Sequence, residues 1–527
     1  MAPKLSMQVY PRHGLGFLTL GASLHDVLSR FKAQPHIYPT INILYSSSEP
    51  LATPVILNLP TNGFRLRFDG PDQRLRLIEV LDFSKTLLKY NDKDLVKLPE
   101  ANPGSAAENV ALGPTGPAFR HIYNKMGPSF PGEYMPPMPD SQSDQGMYIW
   151  SYPGVAFNFP LQHASWSPDV DFVSFLSSSA AASAISMAIF SGQSWQEARH
   201  DLMSRPCPHP RSLALSSRGK EHRPDEIDLL RVYGNGKIDL ERRASPSFQI
   251  LLGKTTPQDL VAELGPPDAI HRKYDHRLSI HKNQHRARKT ERSLSRSSPA
   301  NHDVFADTDE SSTHTITDES EIEDQTDASD NANARLSAEC FYNYFHHGFD
   351  LFISYPTDRS PTMPTLGSEE DELALESNTN KLVATKMLIH GNVPGSYQFN
   401  RYRRSRWEIF FQHAELDSLD SETPFTTIYD SLSSLWPDSR EDAGGGHGGC
   451  KDLTMRAMLL NRDWGDSPAS SYELLGRWEE SRDTPRKDPR EPDGTSGPAF
   501  SNTKLYGFPG LLFEVLKNDA VSCLTVY

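Results

Sequence analysis

A helix-start signature recurs along this chain, and each copy is followed by a glycine that opens an alternating run. Ser23 and Asp26, Thr256 and Asp259, and Thr427 and Asp430 each place a hydroxyl three residues ahead of an acid, just before apolar residues at helical spacing. Such a hydroxyl accepts from the third amide of the helix, while the acid reaches back to the cap amide. Pro257 suits the first helical position, and Gly265-Pro266 suits the stop. A degenerate copy ends at Met126-Gly127-Pro128 and has Ala118 where the hydroxyl belongs. The partner signature begins at Gly63, Gly154, Gly348 and Gly510. The apolar residues that follow them are two apart: Phe64, Leu66, Phe68; Val155, Phe157, Phe159; Phe349, Leu351, Ile353; and Leu511, Phe513, Val515. Alternation after a turn residue predicts half-buried antiparallel strands, with glycine supplying the positive φ of the turn.

The joint pattern predicts an α+β fold of internal repeats, each one short helix followed by an antiparallel strand meander. Helices of about ten residues are marginal alone and must lay an apolar stripe on their own sheet. The expected units are residues 5–96, a degenerate 107–175, a third from 185–281 with 336–415, and a fourth from 423–439 with 504–527. Leu260, Leu264, Phe349 and Leu351 are expected to share one apolar layer.

Between the units the composition changes. Residues 272–296 hold nine Lys or Arg and two acids, whereas 301–330 hold eleven acids and no Lys or Arg. Residues 440–503 combine the glycine run 444–449 with a Pro-, Arg- and Asp-rich stretch. Such segments lack the apolar area that offsets the cost of ordering, so 282–335 and 440–503 are expected to be disordered insertions. With 53 basic against 68 acidic residues, the net charge of -15 argues against whole-surface capture of nucleic acid or anionic lipid. Cys207, Cys340, Cys450 and Cys523 are too far apart for a disulfide framework or a thiolate metal site, which fits a reducing cytoplasm. No apolar targeting segment opens the sequence. The weakly polar run from Phe175 to Phe190 is too short and too serine-rich to span a bilayer, so any membrane contact is expected to be peripheral.

Catalytic constellations are not recognisable. Gly449-Cys450-Lys451-Asp452 lacks the Gly-Lys-Ser/Thr of a phosphate loop and reads as linker. His447 has no ligand partners near it beyond Cys450. His346 and His347 lie beside Gly348 in a predicted turn, and adjacent histidines on a strand point to opposite faces, a poor arrangement for sharing a metal. No enzyme activity, cofactor or metal is therefore expected. The candidate binding patch is Arg401, Arg403, Arg404 and Arg406, interleaved with Tyr402 and Trp407. Four guanidiniums with aromatics suit a phosphate-bearing ligand or an acidic peptide. The plainer alternative is a strand edge with a solvated face.

Several segments resemble the phagosome assembly factor family. Ile43–Ser46 precedes Val55–Leu59, followed by Gly63–Asp69, Gln73–Leu75 and Ile78–Val80. Phe341–Phe345 leads into Gly348–Leu351, and Pro394–Tyr402 resembles a proline-glycine, tyrosine and phenylalanine-asparagine signature. The end, Gly510–Val515 to Val526-Tyr527, also matches. The order of these segments carries the resemblance, over most of the chain from residue 5 onward. Two departures stand out: Arg406-Trp407-Glu408 occupies a stretch where the family usually has Cys, and the last helix-to-strand insertion is far longer. The resemblance implies a non-enzymatic adaptor in autophagy, recruited from the cytoplasm to the phagophore, with a WD-repeat β-propeller partner. It also implies, as an alternative, a role in trans-Golgi to plasma-membrane transport, and it brings no catalytic residues. Any peripheral contact with phosphoinositide-containing membranes is expected from the arginine cluster, and an enzyme with a divergent, unrecognised site is the remaining alternative.

Overall fold

The structure is a computed structural model. It describes residues 5–96, 116–137, 145–167, 171–178, 182–206, 225–233, 235–272, 339–356, 381–410, 419–435, 457–460, 480–482 and 503–527. The basic block beyond Arg272, the insertion at 282–335, and His447, Cys450 and the glycine run around them lie outside the described residues. Within 440–503, two three-residue strands are described.

The first lobe opens with strands β1 (Ser6–Tyr10), β2 (Gly14–Leu15) and β3 (Leu18–Thr19), then helix α1 (Leu24–Ala33). Strands β4 (Asn42–Tyr45), β5 (Val55–Leu59), β6 (Phe64–Phe68), β7 (Leu75–Val80), β8 (Leu87–Tyr90) and β9 (Lys93–Asp94) follow. After helix α2 (Phe119–Met126) come β10 (Glu133–Met135), β11 (Gln145–Tyr152) and β12 (Val155–Gln162). Helix α3 (Phe172–Leu176), strand β13 (Ser186–Phe190) and helix α4 (Trp195–Asp201) complete it.

The second lobe repeats the plan with β14 (Ile227–Tyr233), β15 (Lys237–Arg242), β16 (Phe248–Leu251) and helix α5 (Pro257–Leu264). Strands β17 (Ala269–Arg272), β18 (Cys340–Tyr344), β19 (Phe349–Ser354), β20 (Val383–His390), β21 (Trp407–Phe410) and β22 (Leu419–Asp420) precede helix α6 (Phe425–Leu435). The remaining strands are β23 (Met458–Leu460), β24 (Glu480–Arg482), β25 (Thr503–Phe508), β26 (Leu511–Val515) and β27 (Val521–Val526).

Strand order matches between the lobes. The small sheets run β3-β2-β1-β8-β9 and β16-β15-β14-β21-β22. Each is built round a parallel pair, β1 with β8 and β14 with β21. The large sheets run β10-β11-β12-β13-β7-β6-β5-β4 and β23-β25-β26-β27-β20-β19-β18-β17, with β24 added in parallel beside β4. One large core fills each lobe, a smaller cluster lies under α4, and a fourth joins Leu51 to Val393, Leu516 and Ala520 between the lobes.

This corrects the expected α+β fold of helix-plus-meander repeats. The described chain is mostly β, and no meander stands as its own unit. Strand β13 pairs with β7, and β27 pairs with β20, so neighbouring meanders fuse into one large sheet per lobe. A free-standing meander leaves unpaired amides and carbonyls at both edges, and joining two meanders satisfies the inner edges. Helix-start and alternation signals are local, whereas sheet membership is set by pairing between distant segments.

The local signals themselves are found. Gly63, Gly154, Gly348 and Gly510 have φ of 78°, 80°, 86° and 77°, each in the turn that opens a strand. Thr256 and Asp259 form the reciprocal cap of α5. Ser23 accepts from the Asp26 amide at the start of α1. Leu260, Leu264, Phe349 and Leu351 are buried in one core. Helix α6, however, starts before Thr427. The Asp519 carboxylate, from the turn between β26 and β27, accepts from the Thr426 amide and hydroxyl at 3.0 and 2.7 Å.

Candidate functional site

The two cores meet across a polar seam. One side is the turn between β6 and β7. Asp69-Gly70-Pro71-Asp72 has turn composition, and Asp69 folds it tightly by accepting from the amides of Asp72 and Arg74. Its other oxygen takes the Arg76 guanidinium, and both side chains are buried. Burial raises the Asp69 carboxyl above its usual range, with Arg76 opposing that shift. The turn also holds Gln73, buried with φ 49°.

The other side is a strap, residues 391–406, between β20 and β21. Gln73 donates to the Asn392 carbonyl at 2.8 Å, and Asn392 donates back to the Gln73 amide oxygen at 2.7 Å. Asn392 Oδ1 then accepts from the Asn400 amide at 2.7 Å. Asn392 and Asn400 also have positive φ, 45° and 63°. Asparagine tolerates this region better than most residues, and three such positions in one contact mark a seam where side-chain pairing fixes the backbone. From the strap, Phe399 enters the first lobe's core and meets Tyr45 at 5.9 Å between ring centroids.

The strap carries all four arginines of the expected binding patch, and the structure places them differently. Arg403 and Arg404 are buried. Arg403 pairs with Glu226 at 2.9 Å, and Arg74 and Arg243 converge on the same carboxylate at 2.9 Å each. Arg404 donates to the carbonyls of Pro71 and Gly391 and pairs with Glu422 at 2.8 Å. Arg406 bridges Glu422 and Asp72, both at 3.0 Å. Arg401 lies over the Phe345 and Tyr402 rings, 5.6 and 5.7 Å from their centroids. A four-arginine surface for phosphate or acidic peptide is therefore corrected. Three of these guanidiniums are held by carboxylates of this chain: Arg403 and Arg404 pair with Glu226 and Glu422 beside the strap in the second lobe, and Arg406 also reaches Asp72 across the seam.

The electrostatics agree with that role. Burial opposes ionisation of Glu226, yet Arg403, Arg74 and Arg243 hold its carboxyl below the usual range. Burial likewise opposes ionisation of Glu422, and Arg406 and Arg404 outweigh it. Paired this way, the charges fix the seam's geometry, since removing the carboxylate partner of Arg403 or Arg404 would leave a buried guanidinium uncompensated.

Behind the strap lies a second polar cluster. β19 was expected to be half-buried, but all six of its residues are buried. Its Asp350 accepts from Asn343 Nδ2 and Tyr402 Oη, both at 2.8 Å, and lies 3.0 Å from His390 Nε2. The His390 and Tyr402 rings stack at 3.8 Å. Burial raises the Tyr402 hydroxyl, and Asp350 raises it further. His346 and His347 do not point apart, because they sit in the turn before β19, with ring centroids 4.0 Å apart. His346 Nδ1 meets Asp268 at 2.6 Å, whereas burial pushes His347 down to about 3 and keeps it neutral. Among the described residues, no group of three or more His, Cys, Asp or Glu is placed to hold a metal ion. No helix among them is long and apolar enough to cross a membrane.

Sequence reasoning found the strap's arginines but missed their partners. Asp69 and Asp72 carry a turn signal that could have been read. Gln73 and Asn392 carry none, being 319 residues apart.

The description of the family model that matches is phagosome assembly factor 1, over residues 14–296 and 375–527. A PHAF1 protein of Arabidopsis thaliana is 22% identical over 525 residues, covering 98% of this chain and 92% of that protein. A PHAF1 protein of Drosophila melanogaster is 22% identical over 548 residues, covering 99% and 94%. One of Caenorhabditis elegans is 22% identical over 409 residues, covering 76% and 75%. No solved structure matches the chain. The matched stretches include both sides of the seam, from the Asp69 turn to the strap and Glu422, and on this match the chain belongs to the phagosome assembly factor 1 family.

Proposed function

We propose that this chain is a non-enzymatic adaptor in phagosome or autophagosome assembly, a two-lobed β platform that presents surfaces of both lobes to partner proteins in fixed relation. The observation that carries the reading is the seam. Its buried arginines, half-buried glutamates and reciprocal amides are committed to one another, which suits a part that sets geometry. Family membership supports the process. A WD-repeat β-propeller protein is the partner proposed for recruitment from the cytoplasm to phagophore membranes, with peripheral contact to phosphoinositide-containing membranes beside it. Direct capture by the arginines is not proposed, since a buried guanidinium cannot reach a headgroup and each exposed one contributes only about 1 kcal/mol near an anionic surface.

The test images a fluorescent fusion in starved cells and identifies what co-purifies with it. Puncta on starvation and recovery of a propeller protein are expected, and Arg404→Ala should lose both while Arg401→Glu keeps them. Diffuse signal in every condition with no propeller protein recovered would contradict the adaptor reading.

A further inference from the structure

On the outer side of the nine-stranded sheet, the loop after α2 and the start of α4 enclose a cleft of about 540 Å³. It shares no residue with the seam. Its apolar surface comes from Phe130, Pro131, Pro153 and Trp195, and its polar surface from Gln193, Gln196 and Glu197. Phe130 is 87% exposed, the largest exposure of any large apolar side chain among the described residues.

The loop that carries Phe130 is pinned along its length. Tyr152 Oη donates to the Gly127 carbonyl at 2.6 Å, Ser129 Oγ donates to the Ser151 carbonyl at 2.7 Å, and the Gly132 amide donates to Tyr148 Oη at 2.7 Å. Beyond it, Arg199 of α4 clamps Glu133 through two bonds, at 2.8 and 3.0 Å. The exposed phenylalanine is thus held out by a fixed frame, and a ligand entering the cleft would meet a preformed wall.

We propose that this cleft docks an extended, proline-rich peptide segment of a partner protein, with a basic residue placed against Glu197. Polyproline segments make no internal hydrogen bonds and pack their rings on aromatic ridges, here Phe130 and Trp195. Their free carbonyls suit side-chain amide donors such as Gln193 and Gln196. The charge preference follows from the two carboxylates. Glu133 is shared with Arg199, whereas Glu197 is exposed and makes no ion pair among the described residues. An anionic headgroup would face that carboxylate, and Arg199 beside the cleft is already paired with Glu133.

The experiment is fluorescence anisotropy on the full chain with a labelled Pro-Pro-Leu-Pro-Pro-Arg peptide, and with a copy ending in Glu. Saturable binding of the Arg peptide is expected, weakened about tenfold by Phe130→Ala, as for an interface anchor. Glu197→Lys should reverse the preference, favouring the Glu peptide. Both positions are exposed, so unchanged melting is expected to accompany these losses. Absence of saturable binding, or binding indifferent to both substitutions, would overturn the proposal. So would a Phe130→Ala variant that loses co-sedimentation with phosphatidylcholine–phosphatidylserine vesicles but keeps peptide binding, since that outcome makes Phe130 a membrane wedge. Failure here leaves the adaptor reading standing, because it rests on the seam.

Discussion

The first lobe and the second share one strand order, yet they treat the same connection differently. In the first lobe, β7 reaches β8 through a short turn at residues 81–86. In the second, the equivalent link from β20 to β21 is the strap, which leaves its own lobe and crosses to the other. What the lobes share, namely the glycine turns, the capped helices α1 and α5 and the fused sheets, belongs to the fold. What only one has is where a joint could be built. The contrast teaches that the arginine-rich run, read alone as a ligand patch, is the second lobe's addition for holding the first.

The largest expected effect separates seam charges from ordinary ones. Arg404→Ala removes a guanidinium that is 1% exposed and leaves Glu422 and two carbonyls short of a donor. Breaking a buried pair costs about 3–5 kcal/mol. Arg67→Ala removes a guanidinium that is 35% exposed and leaves Glu79 with Arg65 at 3.9 Å, so it should cost only about 0–1 kcal/mol. Urea unfolding of the two variants checks the contrast, and equal costs would break it.

Acid should weaken the lobes unequally. His347, in the second lobe, has a folded pKa depressed to about 3 from the ordinary 6.5, with His346, Asp268 and Arg403 facing it. Between those values the unfolded chain binds the proton and the folded chain does not, so stability falls as pH drops through 6.5. The loss approaches about 1.4 kcal/mol per pH unit. Glu226 and Glu422 are depressed carboxyls, so their stabilisation is complete above the ordinary 4.5 and is lost only as pH falls below it. Replacing the His347 ring in His347→Phe should flatten the slope between pH 6.5 and 4.5 and leave the steeper fall below it. Melting temperatures across that range decide it, and an unchanged slope would remove His347 from the account.

The smallest effect tests the likeness of the lobes. Thr256→Ala and Ser23→Ala each remove a cap hydroxyl from equivalent helices, and each should cost about 1 kcal/mol. Thermal melts that differ widely between them would argue that the matched strand orders hide different helix roles.

What could be read in the sequence was local. Gly63 and Gly348 announced turns because only a residue without a Cβ sits easily at their φ. Thr256 and Asp259 announced a helix start because both halves of the cap lie within one turn. Leu264 announced its layer through helical spacing. Where a partner comes from afar, the reading stopped. The start of α6 was misplaced because its cap, Asp519, lies 93 residues from Thr426. The meanders were read as separate because nothing in β7 names β13. The arginines were seen, but whether a guanidinium faces solvent or a carboxylate depends on where Glu226, Glu422 and Asp72 fall in space. The helix-plus-meander repeat fails for the same reason, and the strand order that recurs is that of a whole lobe.

The central claim is that the strap locks the two lobes, and a double-mutant cycle on its reciprocal amides tests it most directly. Gln73→Ala, Asn392→Ala and the double variant are compared with the parent chain by chemical denaturation. If each amide exists to pair with the other across the seam, the losses will not add, and the coupling will lie in the range of about 0.5–3 kcal/mol seen for residues in one hydrogen-bond network. Additive losses, with no coupling between residues 73 and 392, would contradict a locked seam.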